Sequence, residues 1–190
     1  MKQISIVLVA ALVTFSSFKA VETWKLDKGH SQLGFSIIHL GISEQSGIFK
    51  NFEVNIQSGK ADFSDAVVEL TADVASVNTG IEMRDKHLRD EDFFDVARFP
   101  TLQYKSNGIK AIGKNKYQLS GNLTLHGITK PVILNLLYRG TTINPMSKAA
   151  TSGFQVTGTI KRTDFGIAPG YPAAMLSDEV AIKADGEFNK

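Results

Sequence analysis

The chain of 190 residues contains no cysteine. That excludes a disulfide framework, a thiolate-ligated zinc or iron–sulfur site, a cysteine nucleophile and a lipidated cysteine. Proline is scarce, at 5 residues, while 43% hydrophobic and 21% charged content is that of a folding chain and not of a disordered or collagen-like one. Neither sign of charge dominates, with 21 Lys and Arg against 19 Asp and Glu, so a basic footprint for nucleic acid is missing. No run reaches the roughly 20 apolar residues of a membrane-spanning helix. The length suits one domain with a real core and is tight for two.

What is present begins with an address. Residues 4–15 (ISIVLVAALVTF) form a twelve-residue uncharged, mostly apolar stretch behind Lys2 and ahead of Ser16, Ser17 and Ala20. This is the layout of a secretory signal peptide, with a buried strand or helix as the blander alternative. Cleavage is expected after Ala20, although Phe18 is bulkier than such sites prefer, which divides the chain into a signal peptide at 1–20 and one domain at 21–190. Removing the leader takes away Lys2 and Lys19 and no acidic residue, leaving 19 basic against 19 acidic groups. The net charge of +2 therefore belongs to the targeting segment. An exported domain without disulfides suits a bacterial envelope better than an animal extracellular space, so the expected location is the periplasm.

The rest alternates with period two. Tyr117, Leu119, Gly121, Leu123 and Leu125 share one phase, and Gln118, Ser120, Asn122, Thr124 and His126 the other. Val68, Leu70, Ala72 and Val74 behave likewise, as do Val180, Ile182, Ala184, Gly186 and Phe188. Weaker cases are Leu33, Phe35 and Ile37; Phe52, Val54 and Ile56; Val132, Leu134, Leu136 and Tyr138; and Phe154, Val156, Gly158 and Ile160. With Leu102 and Tyr104 this predicts roughly eight strands, plus a short one at 24–26, each with one dry face, as in antiparallel sheet. The stretch 81–98 (IEMRDKHLRDEDFFDVAR) breaks the alternation and is stopped by Pro100. It reads as one or two short helical turns with Ile81, Leu88 and Phe93 as an apolar stripe and a solvated, self-paired charged face. The expected fold is all-β: an antiparallel, lipocalin-like eight-stranded barrel with a short helical insertion near 80–98.

Spacing leaves open whether such a barrel is hollow or filled. Small inward residues (Ala72, Gly121, Gly158, Ala184 and Gly186) leave volume, but strand glycines also mark bulges and corners. Motifs for other chemistries fail. Gly108, Gly113 and Lys114 carry phosphate-loop spacing, yet Asn115 replaces the magnesium-binding hydroxyl and the segment reads as a hairpin between strands. The kinase-like HLRD at 87–90 and DFG at 164–166 lack the remaining kinase parts, and Asn122-Leu-Thr124 is a glycosylation sequon only on paper. His30, His39, His87 and His126 show no metal-ligand spacing, so no metal is expected. His39 continues the inward phase of Ile37 and would meet a guest's polar head at a barrel end, or, more commonly for such a residue, a core hydrogen bond.

Four ordered blocks carry a resemblance. They are 30–41 (HSQLGFSIIHLG) with 47–49 (GIF), 78–100 (NTGIEMRDKHLRDEDFFDVARFP), 121–132 (GNLTLHGITKPV) and 164–166 (DFG). Together they resemble the YceI-like family of bacterial periplasmic proteins over nearly the whole chain after the leader. The resemblance implies a hollow lipocalin-like barrel that binds a polyisoprenoid or similar long lipid. It supplies no catalytic set. The wall of that cavity follows instead from strand phase: Phe35, Ile37, His39, Leu70, Leu119, Leu123, Leu134, Phe154, Val156 and Ile160. The expected function is a periplasmic carrier for an isoprenoid lipid, a quinone among the candidates. No cofactor is expected beyond the lipid itself and no nucleic-acid partner, and a homodimer is left open. Two alternatives stand beside it. One is an enzyme acting on such a lipid through His39 or the carboxylates Asp85, Asp90, Asp92 and Asp95; the other is an envelope stress or interaction protein with a filled barrel.

Overall fold

Alternating residues zip into antiparallel neighbours in the computed structural model, which describes residues 20–190. The signal peptide expected at 1–20 lies outside the described residues except for Ala20. The strands are β1 (Glu22–His39), β2 (Ser43–Phe49), β3 (Phe52–Ser58), β4 (Val67–Asp73), β5 (Val77–Asn78), β6 (Thr101–Gly113), β7 (Lys116–Leu125), β8 (Ile128–Ile143), β9 (Ala150–Lys161) and β10 (Leu176–Asn189). One helix, α1 (Glu82–Arg89), falls within the segment that breaks the alternation. Pairing runs β1-β3-β4-β6-β7-β8-β9-β10 and closes through β10 with β1, an eight-stranded antiparallel barrel. Closure satisfies the backbone groups that an open sheet would leave at its edges.

The expected short strand at 24–26 and the strand at 33–37 are one element. Between Asp27 and Gln32 the register of β1 against β10 slips. Gly29 N–H donates to Asp27 Oδ1 at 3.0 Å, and His30 Nδ1 lies 3.1 Å from Asp27 Oδ2. The bulge moves the inward phase from Trp24 and Leu26 to Leu33, Phe35 and Ile37 without ending the strand. Beyond it β1 exchanges one neighbour for another: Trp24 pairs with Ile56 of β3, whereas Phe35 pairs with Gly47 of β2. β2 in turn pairs with the two-residue β5.

The segment 81–98 corrects two expectations. Ile81 is not part of an apolar stripe: it is the helix N-cap and 53% exposed, while Leu88 and Phe93 do face the core. Nor is the charged face simply solvated. Asp85 is buried and accepts from Thr79 N–H at 2.7 Å and Thr79 Oγ1 at 2.5 Å. Arg89 donates to the carbonyls of Ala75 at 2.8 Å and Val77 at 3.0 Å. These charges bolt α1 to the chain that enters it, which an eight-residue helix needs because isolated helices of this length are unstable in water.

The inward glycines decide between the two readings that spacing leaves open. A Cβ on Gly121 would stand 2.5 Å from the Tyr104 ring, and one on Gly158 would stand 2.4 Å from Leu134 Cδ2. At these positions the missing side chain is replaced by a neighbour's, so they create no free volume.

Candidate ligand cavity

The free volume lies elsewhere. A cavity of about 550 Å³ runs along the barrel axis, walled by Leu26, Leu33, Val54, Leu70, Tyr104, Leu123, Val132, Val156, Ile182 and similar residues. That volume is in the range of small-molecule sites. Val156, Ile160, Val180 and Ile182 sit on inward faces yet are only half-buried, because they border space and not another side chain. Burial pushes the Tyr104 phenol up to about 12, so it stays a neutral donor, bonded to the Leu119 carbonyl at 3.2 Å. A wall this apolar is a poor solvent for charge.

One end is plugged. The loop between β3 and β4 turns Phe63 into the barrel until only 1% of it is exposed. Its ring centroid lies 5.2 Å from Trp24, 5.0 Å from Tyr138 and 4.8 Å from Phe154. Phe63 has φ +59°, a left-handed conformation that bulky residues adopt only when their surroundings over-determine it. Two anchors do so. Tyr117 Oη donates to the Asp62 carbonyl at 2.5 Å, and Asp65 accepts from Ser58 Oγ at 2.5 Å, Gly59 N–H at 3.0 Å and Lys60 N–H at 3.3 Å. Burial raises the Asp65 pKa, but these hydrogen bonds outweigh it and hold the carboxyl below its ordinary value.

The other end is a mouth with polar fittings. Gln45 of β2, Thr79, and Arg84 and His87 of α1 all border the cavity. Arg84 donates from Nε to Thr79 Oγ1 at 2.8 Å, from Nη1 to Gln45 Oε1 at 2.7 Å and from Nη2 to the Thr79 carbonyl at 3.0 Å. Opposite, buried Arg162 gives its five bonds to the carbonyls of Ser177, Ile167, Ala168, Tyr171 and Leu176. A guanidinium has five N–H donors, so Arg162 is saturated. Its work is to fold the β9–β10 connection over the rim, where Tyr171 packs 5.2 Å from Phe93 and His87 lies 4.8 Å from Phe93.

All ten residues chosen by strand phase border this one cavity: Phe35, Ile37, His39, Leu70, Leu119, Leu123, Leu134, Phe154, Val156 and Ile160. His39 differs from expectation in one respect. It is exposed at the mouth, and its ring makes no core hydrogen bond among the described residues. Asp85, Asp90, Asp92 and Asp95 do not border the cavity. Asp85 is occupied by Thr79, and Asp95 pairs with Arg98 at 3.2 Å. Strand phase does not reach the mouth residues Thr79, Arg84, His87, Arg162 and Tyr171, which stand outside the strands, nor Gln45, whose inward neighbours on β2, Ser43 and Gly47, give that face no apolar signature.

A family model described as the YceI-like domain matches residues 24–188, from the start of β1 to within a residue of the end of β10. The chain belongs to the YceI-like family. Protein YceI of Salmonella arizonae is 36% identical over 185 residues, covering 96% of this chain and 95% of its own. The crystal structure of a Campylobacter jejuni YceI protein superposes with a TM-score of 0.74 at 31% identity, covering 87% of this chain and 96% of that one. A domain of Saccharophagus degradans, described as a polyisoprenoid binding domain implicated in plant cell wall breakdown, shares the fold at 19% identity with a TM-score of 0.66, covering 87% of this chain and 97% of that one. The YceI-like barrel of the present chain thus has solved counterparts across its length. Among the described residues no helix is long and apolar enough to cross a membrane.

Proposed function

We propose that this protein binds one long-chain isoprenoid-type lipid in its barrel and serves as a periplasmic carrier for it, with a quinone as one candidate guest. The observation that carries the reading is the apolar cavity of about 550 Å³, walled at one end by Phe154, behind which Phe63 is buried, and bordered at the α1 end by Gln45, Thr79, Arg84 and His87. Family membership supports it, and the Saccharophagus relative's description as polyisoprenoid-binding fits the same chemistry. The apolar leader at 4–15 behind Lys2 supports export. Affinity would come from burying chain methylenes, at ~0.8 kcal/mol each, against the cost of ordering the guest. The reading needs no cofactor and no catalytic group. Its polar mouth would receive the head of the lipid while the tail points toward Phe63.

The test uses two neighbouring residues of β7. Leu123 borders the cavity, whereas Thr124 points outward and shares a 2.8 Å hydrogen bond with Thr129. Loading is measured with a dansyl-tagged polyprenol on delipidated protein. Leu123→Asp puts a carboxyl in the apolar wall and is expected to lower uptake at least tenfold, consistent with a polar burial cost of ~1–3 kcal/mol. Thr124→Asp should load as the parent does. Equal uptake by both folded variants would refute the proposed lining.

A further inference from the structure

The mouth carries a feature that lipid storage alone does not require. Around it stand Leu40 and Ile42 of the β1–β2 turn, Ile81 and Met83 at the start of α1, and Met175 ahead of β10, all exposed, with Ile42 and Met83 each 84% accessible. They belong to one rim. Leu40 N–H donates to the Met175 carbonyl at 2.8 Å, and Arg84 Nη1 ties α1 to Gln45 of β2 at 2.7 Å. Met175 and His39 are both exposed and part of the cavity lining, so apolar surface runs from the interior onto the outside without a polar break at Met175.

We propose that this rim inserts shallowly into a phospholipid bilayer and aligns the mouth with it, so that lipid passes between membrane and barrel without crossing water. The inference rests on the lipid-binding reading above. A bilayer is the occupant favoured by the geometry because the rim encircles the opening of an apolar cavity, and a water-insoluble chain leaving that opening needs an apolar medium at the rim. The side chains stand on three separate segments, the β1–β2 turn, the start of α1 and the chain entering β10, and not on one continuous helix or strand face. The plugged end provides the comparison. Met146, in the β8–β9 turn beyond the strand ends that follow Tyr138, is 91% exposed and is not part of the cavity lining.

The experiment is sedimentation of the delipidated full domain with phosphatidylethanolamine–phosphatidylcholine vesicles containing no isoprenoid. The parent, Ile42→Ser/Met83→Ser and Met146→Ser are compared. Burying an apolar side chain of this size accounts for about a tenfold change in partition even when burial is partial, so the rim double variant should bind about a hundredfold more weakly. Met146→Ser should match the parent. Loading with the tagged polyprenol from detergent should be unchanged in all three, while its transfer from protein to vesicles slows in the rim variant. Failure of the parent to bind vesicles, or equal weakening by Met146→Ser, would overturn the proposal. So would a parental dimer that the rim substitutions convert to monomer, since the surface would then join two copies of this chain. Loss of loading from detergent in the parent would instead strike the lipid-binding reading, which separates the two failures.

Discussion

Filling the cavity should make the empty protein more stable. Val156 faces inward from β9, between Leu136 of β8 and Ala184 of β10, and is only half-buried because it borders the cavity. Val156→Phe adds about four carbons; credited at roughly half of ~0.8 kcal/mol per buried methylene, because the cavity is not sealed, they contribute ~1.5 kcal/mol. For a domain of this size that corresponds to a rise in Tm of roughly 3–6 °C. In a filled barrel the same substitution would overpack the core at a cost of ~1–3 kcal/mol and lower the Tm. The two accounts differ in sign. The assay is calorimetric unfolding of delipidated protein, with Val77→Trp as the opposite control because Val77 of β5 is 1% exposed and does not border the cavity. The same Val156→Phe protein should take up less tagged polyprenol. A lowered Tm with unchanged uptake would refute the hollow-barrel argument.

Other perturbations address the plug and the wall. Phe63→Ala removes the ring that closes one end and should cost ~3–5 kcal/mol, read as a loss of about 6–20 °C in Tm, with faster amide exchange in residues 59–66. The Asp65 carboxyl titrates below its ordinary value of 3.8 in the folded protein. Its contribution is therefore present above that value and fades as pH falls through the lower folded value, so the parent should lose stability on acidification below about pH 4 more steeply than Asp65→Asn. Chemical denaturation between about pH 2.5 and 6, which brackets the ordinary aspartate value, would detect the difference in slope. In β7 the contrast between Leu123→Asp and Thr124→Asp measures the wall directly, as set out above.

The parts of this molecule that were legible in advance are those governed by a local rule. A strand with one dry face repeats every two residues, so Leu119, Leu123, Leu134, Phe154, Val156 and Ile160 reveal their direction without knowledge of their partners. The helical excursion was legible because charge interrupts that repeat and Pro100 ends it. What stayed hidden depends on tertiary contact. The bulge at Asp27–Gln32 looks like a turn because Lys28, Gly29 and His30 are polar or small, yet pairing with β10 resumes beyond it in the opposite phase. Phe63 lies in a loop, and only the anchoring of Asp62 and Asp65 turns it inward. Arg162 reads as an ordinary strand-end cation until five carbonyls are gathered around it. Whether Gly121 and Gly158 leave empty space stays open at the level of sequence, which does not show that Tyr104 and Leu134 lie over them.

The central claim is that the barrel carries a lipid. Protein expressed from the full sequence of residues 1–190, purified without detergent and extracted with organic solvent, can be examined by mass spectrometry against a Phe63→Ala/Leu123→Asp control. The account predicts one isoprenoid-type lipid at close to one equivalent per chain in the parent and a marked depletion in the control. An extract from well-folded parent that contains no lipid above the control's level would contradict it.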